Sequence, residues 1–525
     1  MRGADAVIEV LHGTGCTHVF TVSGNQIMPV FDACLGRNIR LVHARHEAAA
    51  GYMAEGYAQI SGKPGMALVA AGAGLGNAIA PLIASRASQT PLVLLSGDSP
   101  VSLDGKGAFQ EMNQIALTES VAKLSCRVTS ADDVADILSN AINVAQSGQP
   151  GPVHISLPAD VLESETGAAS TASVRCGDDH PDLSEIFSFL GKAAKPLVLL
   201  GPELSGYRKA PGGLAMDITE LNVPVIAMES PRGGNDPNLG RLRNIWAMTD
   251  FVLALGKPID FSIAYGSEKD WPLAHWITVH GTELESARAR RNLGDRLISS
   301  KCIEPRSVLR NLAGNLAKQP KREQWQMTVS DLLAERPSSS TVSEKINSRD
   351  LCLEIQRNMS PKSILVCDGG EFGQWAQTID GASTRIVNGV SGAIGGALCH
   401  AIGAKAAAPG SEIFVLTGDG AIGFHLAEFE TAVREELPFI SVIGNDRCWH
   451  AEHELQRRKY GESRLHSCKL SGARYDNAAK ALGGFGIHVT CMDELADAID
   501  SARKSRLPSC INVEIEGLPA PCFTP

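Results

Sequence analysis

Short apolar segments alternate with segments of helical periodicity along almost the whole chain, and this alternation constrains the fold more than any other feature. In the first part of the chain the apolar segments include THVFTV, RLVHA, GMALVAA and PLVLLSG; later ones include PLVLLG, DFVLALG, SILVCDGG, EIFVLTGDG and FISVIGND. Alternation of this kind predicts parallel sheets with helices on both faces. Because single cores stop growing near ~250–300 residues, a chain of 525 residues needs several domains.

Two stretches interrupt the alternation and are rich in small or charged residues, at 164–182 and 318–348. We interpret both as linkers. They divide the chain into an N-terminal domain at 1–165, a central domain at 183–320 and a C-terminal domain at 345–525. The prediction is an α/β protein of three doubly wound parallel-sheet domains, with the strand order left open.

Composition and charge exclude several classes of protein. A formal net charge of −10 argues against a nucleic-acid partner, since such proteins carry clustered Lys and Arg. The 13 cysteines include no CxxC pair, which favours reduced thiols. No apolar run approaches the ~20 residues of a membrane span, and the opening MRGADAVIEVL lacks the layout of a signal peptide. We therefore expect a cytoplasmic protein with no membrane or nucleic-acid partner.

Acidic residues follow two successive strands in the C-terminal block. The strand EIFVLT runs into Gly418-Asp419-Gly420, and FISVIG runs into Asn445-Asp446. A strand–helix–strand crossover makes the two strands parallel, so both aspartates leave the same edge of the sheet, where ligands bind in open α/β folds. Two carboxylates beside glycine N–H groups at a helix start suit a hard cation that bridges to a diphosphate, and Mg²⁺ is the natural choice.

The same glycines allow a second interpretation. GDGAIG at 418–423 also satisfies the dinucleotide fingerprint G-x-G-x-x-G, with Glu435 and Glu436 at a plausible distance. Against it, Asp419 places a negative charge where a pyrophosphate would lie without a metal. Asp446 would serve either as a ribose-binding acid or as a metal ligand. The glycines alone do not decide, so a nicotinamide or flavin oxidoreductase stays open at this point.

A further acid, Glu47, follows the strand RLVHA and opens the Ala-rich segment EAAAGYMAEGYAQIS. Acids in the first turn of a helix stabilise its positive end by ~0.3–1 kcal/mol, which is a sufficient structural reason for a glutamate here. A carboxylic acid among apolar neighbours can also hold or share a proton, because desolvation raises its pKa. Without the other motifs, the position of Glu47 favours a structural role at the start of the helix.

Together these motifs resemble the thiamine-diphosphate enzymes of the acetolactate synthase, 2-hydroxyacyl-CoA lyase and 2-oxo-acid decarboxylase superfamily, over essentially the whole chain. Closest is the acetolactate synthase branch, through VSGN at 22–25, AFQE at 108–111, SPRGGNDP at 230–237, DGGEFGQW at 368–375 and NGVSGAIGGA at 388–397. The resemblance implies pyrimidine-binding, middle and diphosphate-binding domains, thiamine diphosphate with Mg²⁺, and a homodimer or homotetramer whose active sites lie between subunits.

The resemblance also implies roles for individual residues. Asp419 and Asp446 would bind Mg²⁺ by side chain and Cys448 by its carbonyl, with Asp446 standing where Asn is common. Glu47 would activate the cofactor by sharing a proton with its aminopyrimidine ring, while Gly392 would hold that ring and Ile394 would bend the cofactor. The implied cofactor contacts are Glu47, Asn77, Gly373, Gln374, Gly392, Ile394, Gly418, Asp419, Gly420, Ala421, Asp446 and His450.

On the substrate side, the resemblance implies catalytic roles for Gln110 and Glu452 and a pocket formed with Asn25, Phe109 and Leu455. Leu455 replaces the tryptophan of true acetolactate synthases, and this departure leaves biosynthetic acetolactate synthesis open. The helix AEHELQRRKYG is amphipathic, so we expect His453, which lies on it, to be solvated.

The expected activity is that of a carboligase or lyase acting on a 2-oxo acid through an enamine. The alternatives are a 2-hydroxyacyl-CoA lyase, an oxalyl-CoA or 2-oxo-acid decarboxylase, and a non-catalytic family subunit. In the middle domain LGPELSG at 200–206 lacks a glycine cluster, and LGKPIDFSIAYG at 255–266 matches only in part, which leaves FAD or ADP binding open there.

Overall fold

The chain forms three parallel sheets with helices on both faces, as the alternation predicts. The computed structural model describes residues 1–167, 181–205, 222–316, 318–336, 345–380, 382, 384–388 and 391–521. Two compact units emerge: Met1–Gln146, Pro150–Arg175 and Ser343–Ala520 form the first, and Ser147–Gln149, Cys176–Val342 and Pro521–Pro525 form the second. No helix within the described ranges is long and apolar enough to cross a membrane.

The first sheet of the first unit has six strands in the order β2-β1-β3-β4-β6-β5. The strands are β1 His18–Thr21, β2 Arg40–His43, β3 Gly65–Val69, β4 Leu92–Asp98, β5 Ser125–Arg127 and β6 Pro152–Pro158. The helices are α1 Gly3–Gly13, α2 Met28–Ala33, α3 Glu47–Ser61, α4 Ala73–Asn77, α5 Ile79–Ala87, α6 Gln114–Thr118, α7 Val134–Gln146 and α8 Ala159–Glu163. Strands β3, β4 and β6 are buried throughout, as expected for parallel strands covered on both faces.

The second unit has a five-stranded sheet in the order β11-β10-β9-β7-β8. The strands are β7 Pro196–Leu200, β8 Val225–Ala227, β9 Phe251–Leu255, β10 His275–His280 and β11 Leu297–Cys302. The helices are α9 Ser184–Lys192, α10 Leu242–Met248, α11 Glu283–Leu293, α12 Pro305–Leu316 and α13 Glu323–Ala334. The chain passes from β7 to β8 on one side and then to β9 on the other, so the strand order reverses between β7 and β9.

The third sheet, also in the first unit, has six strands in the order β13-β12-β14-β15-β17-β16. The strands are β12 Ile364–Cys367, β13 Thr384–Val387, β14 Ile413–Gly418, β15 Ile440–Asn445, β16 Phe485–Val489 and β17 Ser509–Glu514. The helices are α14 Ser348–Asn358, α15 Gly370–Ala376, α16 Ala397–Ala407, α17 Asp419–Ile422, α18 Glu428–Arg434, α19 His450–Tyr460, α20 Tyr475–Ala481 and α21 Leu495–Ser505.

Part of the predicted linker at 318–348 is wrong. The structure has helix α13 at Glu323–Ala334, and its Trp325 and Val329 are buried in the core of the second unit. Their spacing of four places both on one helix face, but Gln326 and Thr328 prevent a continuous apolar run. Residues 337–344 and 168–180, inside the two predicted linkers, lie outside the described part of the chain.

Helices α3 and α16 pack backbone to backbone and join the cores of the first and third sheets. Glycines permit this close approach. A Cβ at Gly56 of α3 would overlap the carbonyl oxygen of His400, and one at Gly403 of α16 would overlap that of Met53. The buried carboxylate of Glu55 on α3 lies 3.1 Å from Nε2 of His400 on α16, so a polar contact also joins the two helices.

We expect Gly403→Ala to destabilise the first unit by about 3 kcal/mol, the upper part of the range for overpacked cores, because the added methyl group meets backbone atoms. The matched control is Gly13→Ala, another helical glycine, where a Cβ meets nothing within 4 Å. There the better helix propensity of alanine should leave stability equal or higher. Urea unfolding of both variants measures the difference, and equal midpoints for the two would contradict the packing argument.

Candidate active site

Asp419 and Asp446 leave the same edge of the third sheet. Strands β14 and β15 are parallel neighbours, as the crossover predicts, and their register places Gly418 opposite Gly444. Asp419 is the next residue after β14 and begins α17, and Asp446 follows the end of β15. The carboxyl ends of these two strands therefore present both acids to one region.

Asp419 carries a buried carboxylate oxygen that accepts no hydrogen bond from the described part of the chain. The side chain is 2% exposed, and its Oδ1 accepts the N–H of Gly420 at 3.0 Å. Its Oδ2 is buried and makes no hydrogen bond within the described residues. Burial and the nearby Asp446 carboxylate raise the pKa of Asp419 to about 7, against the opposing effect of N–H groups from Gly420, Cys448 and Arg447. A bound cation would offset this cost of burial.

Asp446 is held by a histidine on the helix that follows it. Its Oδ2 lies 2.8 Å from Nδ1 of His450, four residues along, the first residue of α19. Between them Arg447 adopts a left-handed conformation with φ of 58°, which is uncommon for a residue with a side chain. Strained backbone of this kind clusters at functional sites.

A cavity of about 230 Å³ opens at this edge of the sheet and contains both aspartates. Of the residues predicted from the sequence, it is lined by Gln374, Gly392, Ile394, Gly418, Asp419, Gly420, Ala421, Asp446, Cys448, His450 and Glu452. Residues that the sequence argument missed also line it, namely Gly369, Gly370, Glu371, Phe372, Gly444, Trp449 and Ala451. Gly373 is not among the lining residues, because it packs against the Asp368 backbone.

Asp368 organises one wall of the cavity. It is 1% exposed, and its Oδ1 accepts the N–H groups of Gly369 and Gly395, each at 2.8 Å. Its Oδ2 accepts the hydroxyl of Thr417 at 3.0 Å. These bonds tie the segment that carries Ile394 to the end of β14. Asp368 lies in the DGG segment at the end of β12, but its partners were not predictable from the sequence.

The side chains in the described part of the chain form no group of three or more His, Cys, Asp and Glu that could enclose a metal by themselves. Two carboxylates with a backbone carbonyl suit Mg²⁺ instead, since this ion usually completes its shell with water and with the phosphates of a ligand. The unpartnered oxygen of Asp419 beside Asp446 and the glycine-rich start of α17 therefore fit a divalent cation with a diphosphate.

A second cluster lies at the carboxyl edge of the first sheet, around Glu47 at the start of α3. The half-buried Glu47 accepts a hydrogen bond from Asn77 at 2.9 Å. Gly74 is a second neighbour of Glu47, since a Cβ added at Gly74 would be in van der Waals contact with Oε1 of Glu47, at 3.5 Å. The side chain of Glu47 is only partly buried, and its neighbours Gly74 and Asn77 belong to the segment that follows β3.

Gln110 reaches the same turn from another loop. The backbone of Gln110 is left-handed, with φ of 62°. Its Oε1 accepts a hydrogen bond from the side-chain amide of Gln26 at 2.5 Å. A Cβ added at Gly72 would lie 3.1 Å from the Cβ of Gln110. The next residue, Glu111, shapes this loop by accepting N–H groups of Gly105, Gly107 and Ala108 at 2.6, 2.8 and 3.0 Å. These bonds lower the pKa of Glu111.

The residues just before Glu47 are held by the helix that follows the Asp419 motif. Glu428 of α18 is 1% exposed and accepts the backbone N–H of Arg45 at 3.0 Å and the hydroxyl of Thr431 at 2.7 Å. Burial raises the pKa of Glu428 to about 7. His46 caps α3 by accepting the N–H of Ala48. A helix of the third sheet thus holds the backbone two residues before Glu47.

Two family models match the chain at these two edges. Residues 1–117 match the thiamine pyrophosphate enzyme N-terminal binding domain, and residues 368–513 match the corresponding C-terminal binding domain. The chain belongs to the thiamine pyrophosphate enzymes. The first match contains Glu47, Asn77 and Gln110, and the second contains Asp419 and Asp446. The resemblance drawn from the motifs is confirmed at the level of the family and of its cofactor.

Relatives of this thiamine pyrophosphate enzyme cover nearly its whole length. "2-hydroxyacyl-CoA lyase 2" of Danio rerio is 28% identical over 96% of this chain and 89% of its own, and "Probable acetolactate synthase" of Mycobacterium bovis is 27% identical over 98% and 95%. A solved structure, "Rhodococcus jostii RHA1 thiamine diphosphate-dependent 4-hydroxybenzoylformate decarboxylase", has a TM-score of 0.83 at 22% identity over 99% of this chain and 100% of its own. At this identity the last match shows the fold alone.

The Glu47 cluster of this thiamine pyrophosphate enzyme lies outside the cavity at the third sheet. The cavity at the third sheet is lined by none of Glu47, Asn77, Gln110 and Asn25. Large apolar side chains beside both clusters are exposed, with Phe109 at 74%, Phe424 at 57% and Leu455 at 56%. Single exposed apolar side chains occur on most protein surfaces, whereas a contiguous apolar patch marks a surface that another molecule covers.

The described residues place a buried carboxylate at the point of the second unit where the strand order reverses between β7 and β9. Glu203, just after β7, is 3% exposed, and its Oε1 would lie 2.9 Å from a Cβ at Gly256, the residue after β9. Its Oε2 lies 3.4 Å from Nε of Arg306. In open α/β sheets ligands enter at this point, so a buried carboxylate there opposes a phosphate-bearing ligand.

Proposed function

We propose that the chain is a Mg²⁺- and thiamine-diphosphate-dependent enzyme that forms or cleaves a carbon–carbon bond at the carbonyl of a 2-oxo acid. The observation that carries the proposal is the unpartnered, buried Oδ2 of Asp419 in one cavity with Asp446 and the glycines of the α17 turn. Asp419 and Asp446 would hold the cation by side chain and Cys448 by its carbonyl, and the N–H groups of the turn would receive the diphosphate.

The remaining lining residues fit the rest of the cofactor. Ile394 and Gly392 lie on the wall organised by Asp368, and Gln374 of α15 also lines the cavity. When bound, thiamine diphosphate supplies an electron sink for the carbon that loses its substituent. The protein supplies orientation and exclusion of water, and Glu47 supplies a carboxyl group that holds a proton on the aminopyrimidine ring.

Glu47 does not line the cavity of its own chain, and we therefore propose that a second chain contributes it. We propose a homodimer in which the cluster around Glu47 and Gln110 of one subunit closes the cavity of the other. The absence of Glu47, Asn77, Gln110 and Asn25 from the lining of the cavity supports this arrangement. Gln110 and Asn25 would then face the substrate together with Glu452, which lines the cavity.

For the reaction, we propose carboligation of a 2-oxo acid, because the segment AFQE with its loop organised by Glu111 resembles the acetolactate synthase branch. A 2-hydroxyacyl-CoA substrate is the second candidate, favoured by the relative that is 28% identical over 96% of the chain. Both reactions use the same cofactor and the same acid, so the residues around Glu47 do not distinguish carboligation from cleavage of a 2-hydroxyacyl-CoA.

Calorimetry of thiamine diphosphate binding with and without Mg²⁺ tests the cofactor proposal, and we expect tight binding only with the metal. Mass spectrometry of products from pyruvate, longer 2-oxo acids and 2-hydroxyacyl-CoAs then identifies the reaction. Hydroxyketone products support carboligation, whereas aldehydes released from acyl-CoAs support the second candidate. Binding that is indifferent to Mg²⁺ would contradict the assignment of Asp419 and Asp446.

We further infer that the second unit holds no FAD or ADP. Besides Glu203, the edge of its sheet contains Glu229, which accepts the hydroxyl of Ser205 at 2.8 Å, and the buried Lys257, whose Nζ lies 3.3 Å from Asp260. A pyrophosphate would have to displace carboxylates that already have partners. The purified protein should show no flavin absorption band, and added ADP should give no calorimetric signal. Stoichiometric flavin after purification would overturn this inference.

A further inference from the structure

We propose that His450 is a positioning residue that orients Asp446 toward the metal, an inference that rests on the proposed function. The two residues are four apart, and Nδ1 of His450 lies 2.8 Å from Oδ2 of Asp446. An ionised carboxylate only accepts hydrogen bonds, so Nδ1 carries the hydrogen and donates it. The contact occupies Oδ2 and leaves Oδ1 of Asp446 for the cation.

The backbone at Gly517 lies close to this pair. It lies three residues after β17, and a Cβ there would overlap both Oδ2 of Asp446 and Nδ1 of His450. The backbone at this position thus borders the hydrogen bond directly. No side chain is tolerated at Gly517 without moving the bond, which explains a glycine in a segment that has no turn requirement of its own.

His450 is in turn supported along α19. Glu454 is 5% exposed, and its Oε1 lies 3.9 Å from Nε2 of His450. Arg457 donates two hydrogen bonds to the same carboxylate, at 2.9 and 2.5 Å. The three residues are spaced at i, i+4 and i+7 and therefore share one face of the helix. The imidazole is thus flanked by two carboxylates, one hydrogen-bonded at Nδ1 and one 3.9 Å from Nε2.

The aspartate at position 446 needs a hydrogen-bond donor such as His450. A carboxylate at 446 has no N–H group with which to fix its own orientation, whereas the Asn that is common at this position has one. It also adds a negative charge beside Asp419, which an N–H donor partly offsets. Hydrogen-bond partners of metal ligands fix ligand orientation, and their removal typically weakens metal binding by ~10–100-fold.

The test measures Mg²⁺ affinity by calorimetry with thiamine diphosphate in excess, independently of turnover. His450→Ala should weaken Mg²⁺ binding by ~10–100-fold, the range for partners of metal ligands. His450→Asn keeps an N–H donor at the δ position and should retain most of the affinity. The matched control is His466→Gln, which changes an exposed imidazole in the same part of the fold and should bind as the wild type does.

Melting of each variant without metal checks that the fold is intact. Wild-type affinity in His450→Ala would overturn the positioning role, and so would an equal loss in His450→Asn and His450→Ala, because the effect would then not come from the donor. Failure of the wild-type chain to bind Mg²⁺ with thiamine diphosphate would instead overturn the proposed function. The two failures are therefore distinguishable.

Discussion

Glu47→Gln is expected to bind thiamine diphosphate and Mg²⁺ within a few-fold of the wild-type chain yet to lose turnover by ~10²–10⁴-fold, the usual contribution of a positioned acid or base. Glutamine keeps the size of the side chain, and its carbonyl oxygen can still accept the hydrogen bond that Asn77 donates at 2.9 Å. It cannot hold or share the proton that the aminopyrimidine ring requires. The substitution therefore separates binding from activation.

Calorimetry of cofactor binding and steady-state product formation measure the two quantities in parallel. Glu119→Gln is the matched control, since this exposed glutamate follows α6 in the same part of the fold and away from the cluster. Turnover near the wild-type value in Glu47→Gln would leave Glu47 with its structural role at the helix start alone. A loss of cofactor affinity in Glu47→Gln would show that the Glu47 side chain contributes to binding the cofactor rather than to activating it.

The apolar segments with high β propensity were predictable, and most of them became the central strands of the three sheets. Strands such as β5, β13 and β16 were harder to recognise, because SCR, TRIV and FGIHV are short or interrupted by polar residues at sheet edges. The strand order was not predictable either, since it depends on which helix faces cover each sheet. Helix α13 was hidden because only two of its side chains are buried.

At the candidate site the chain order alone placed Asp419 and Asp446 at one edge, because a parallel crossover leaves no other geometry. Asp368, Glu428 and Gly517 were not predictable as parts of the site. Their roles come from contacts between residues that are far apart in sequence, such as Glu428 with the backbone of Arg45. A sequence pattern records spacing along one element, and it contains no signal for such contacts.

Asp419→Ala is expected to abolish Mg²⁺-dependent binding of thiamine diphosphate at concentrations that saturate the wild-type chain. Removal of a direct ligand should exceed the ~10–100-fold effect typical of outer partners. The same change removes a buried carboxylate whose Oδ2 has no partner, so the cofactor-free protein should melt at an equal or higher temperature. Calorimetry and thermal melting check the two parts. A strongly lowered melting temperature would indicate a structural role instead.

Mixing the Asp419→Ala and Glu47→Gln chains tests where the two clusters meet. If each active site takes Glu47 from one subunit and Asp419 from the other, a mixed dimer has one intact site and one site with both defects. Random exchange of subunits in a two-fold dimer should then restore about a quarter of the wild-type turnover. Sites built within one chain would restore none, because every chain carries a defect. Since no residue of the Glu47 cluster lines the cavity of its own chain, we expect the restored activity.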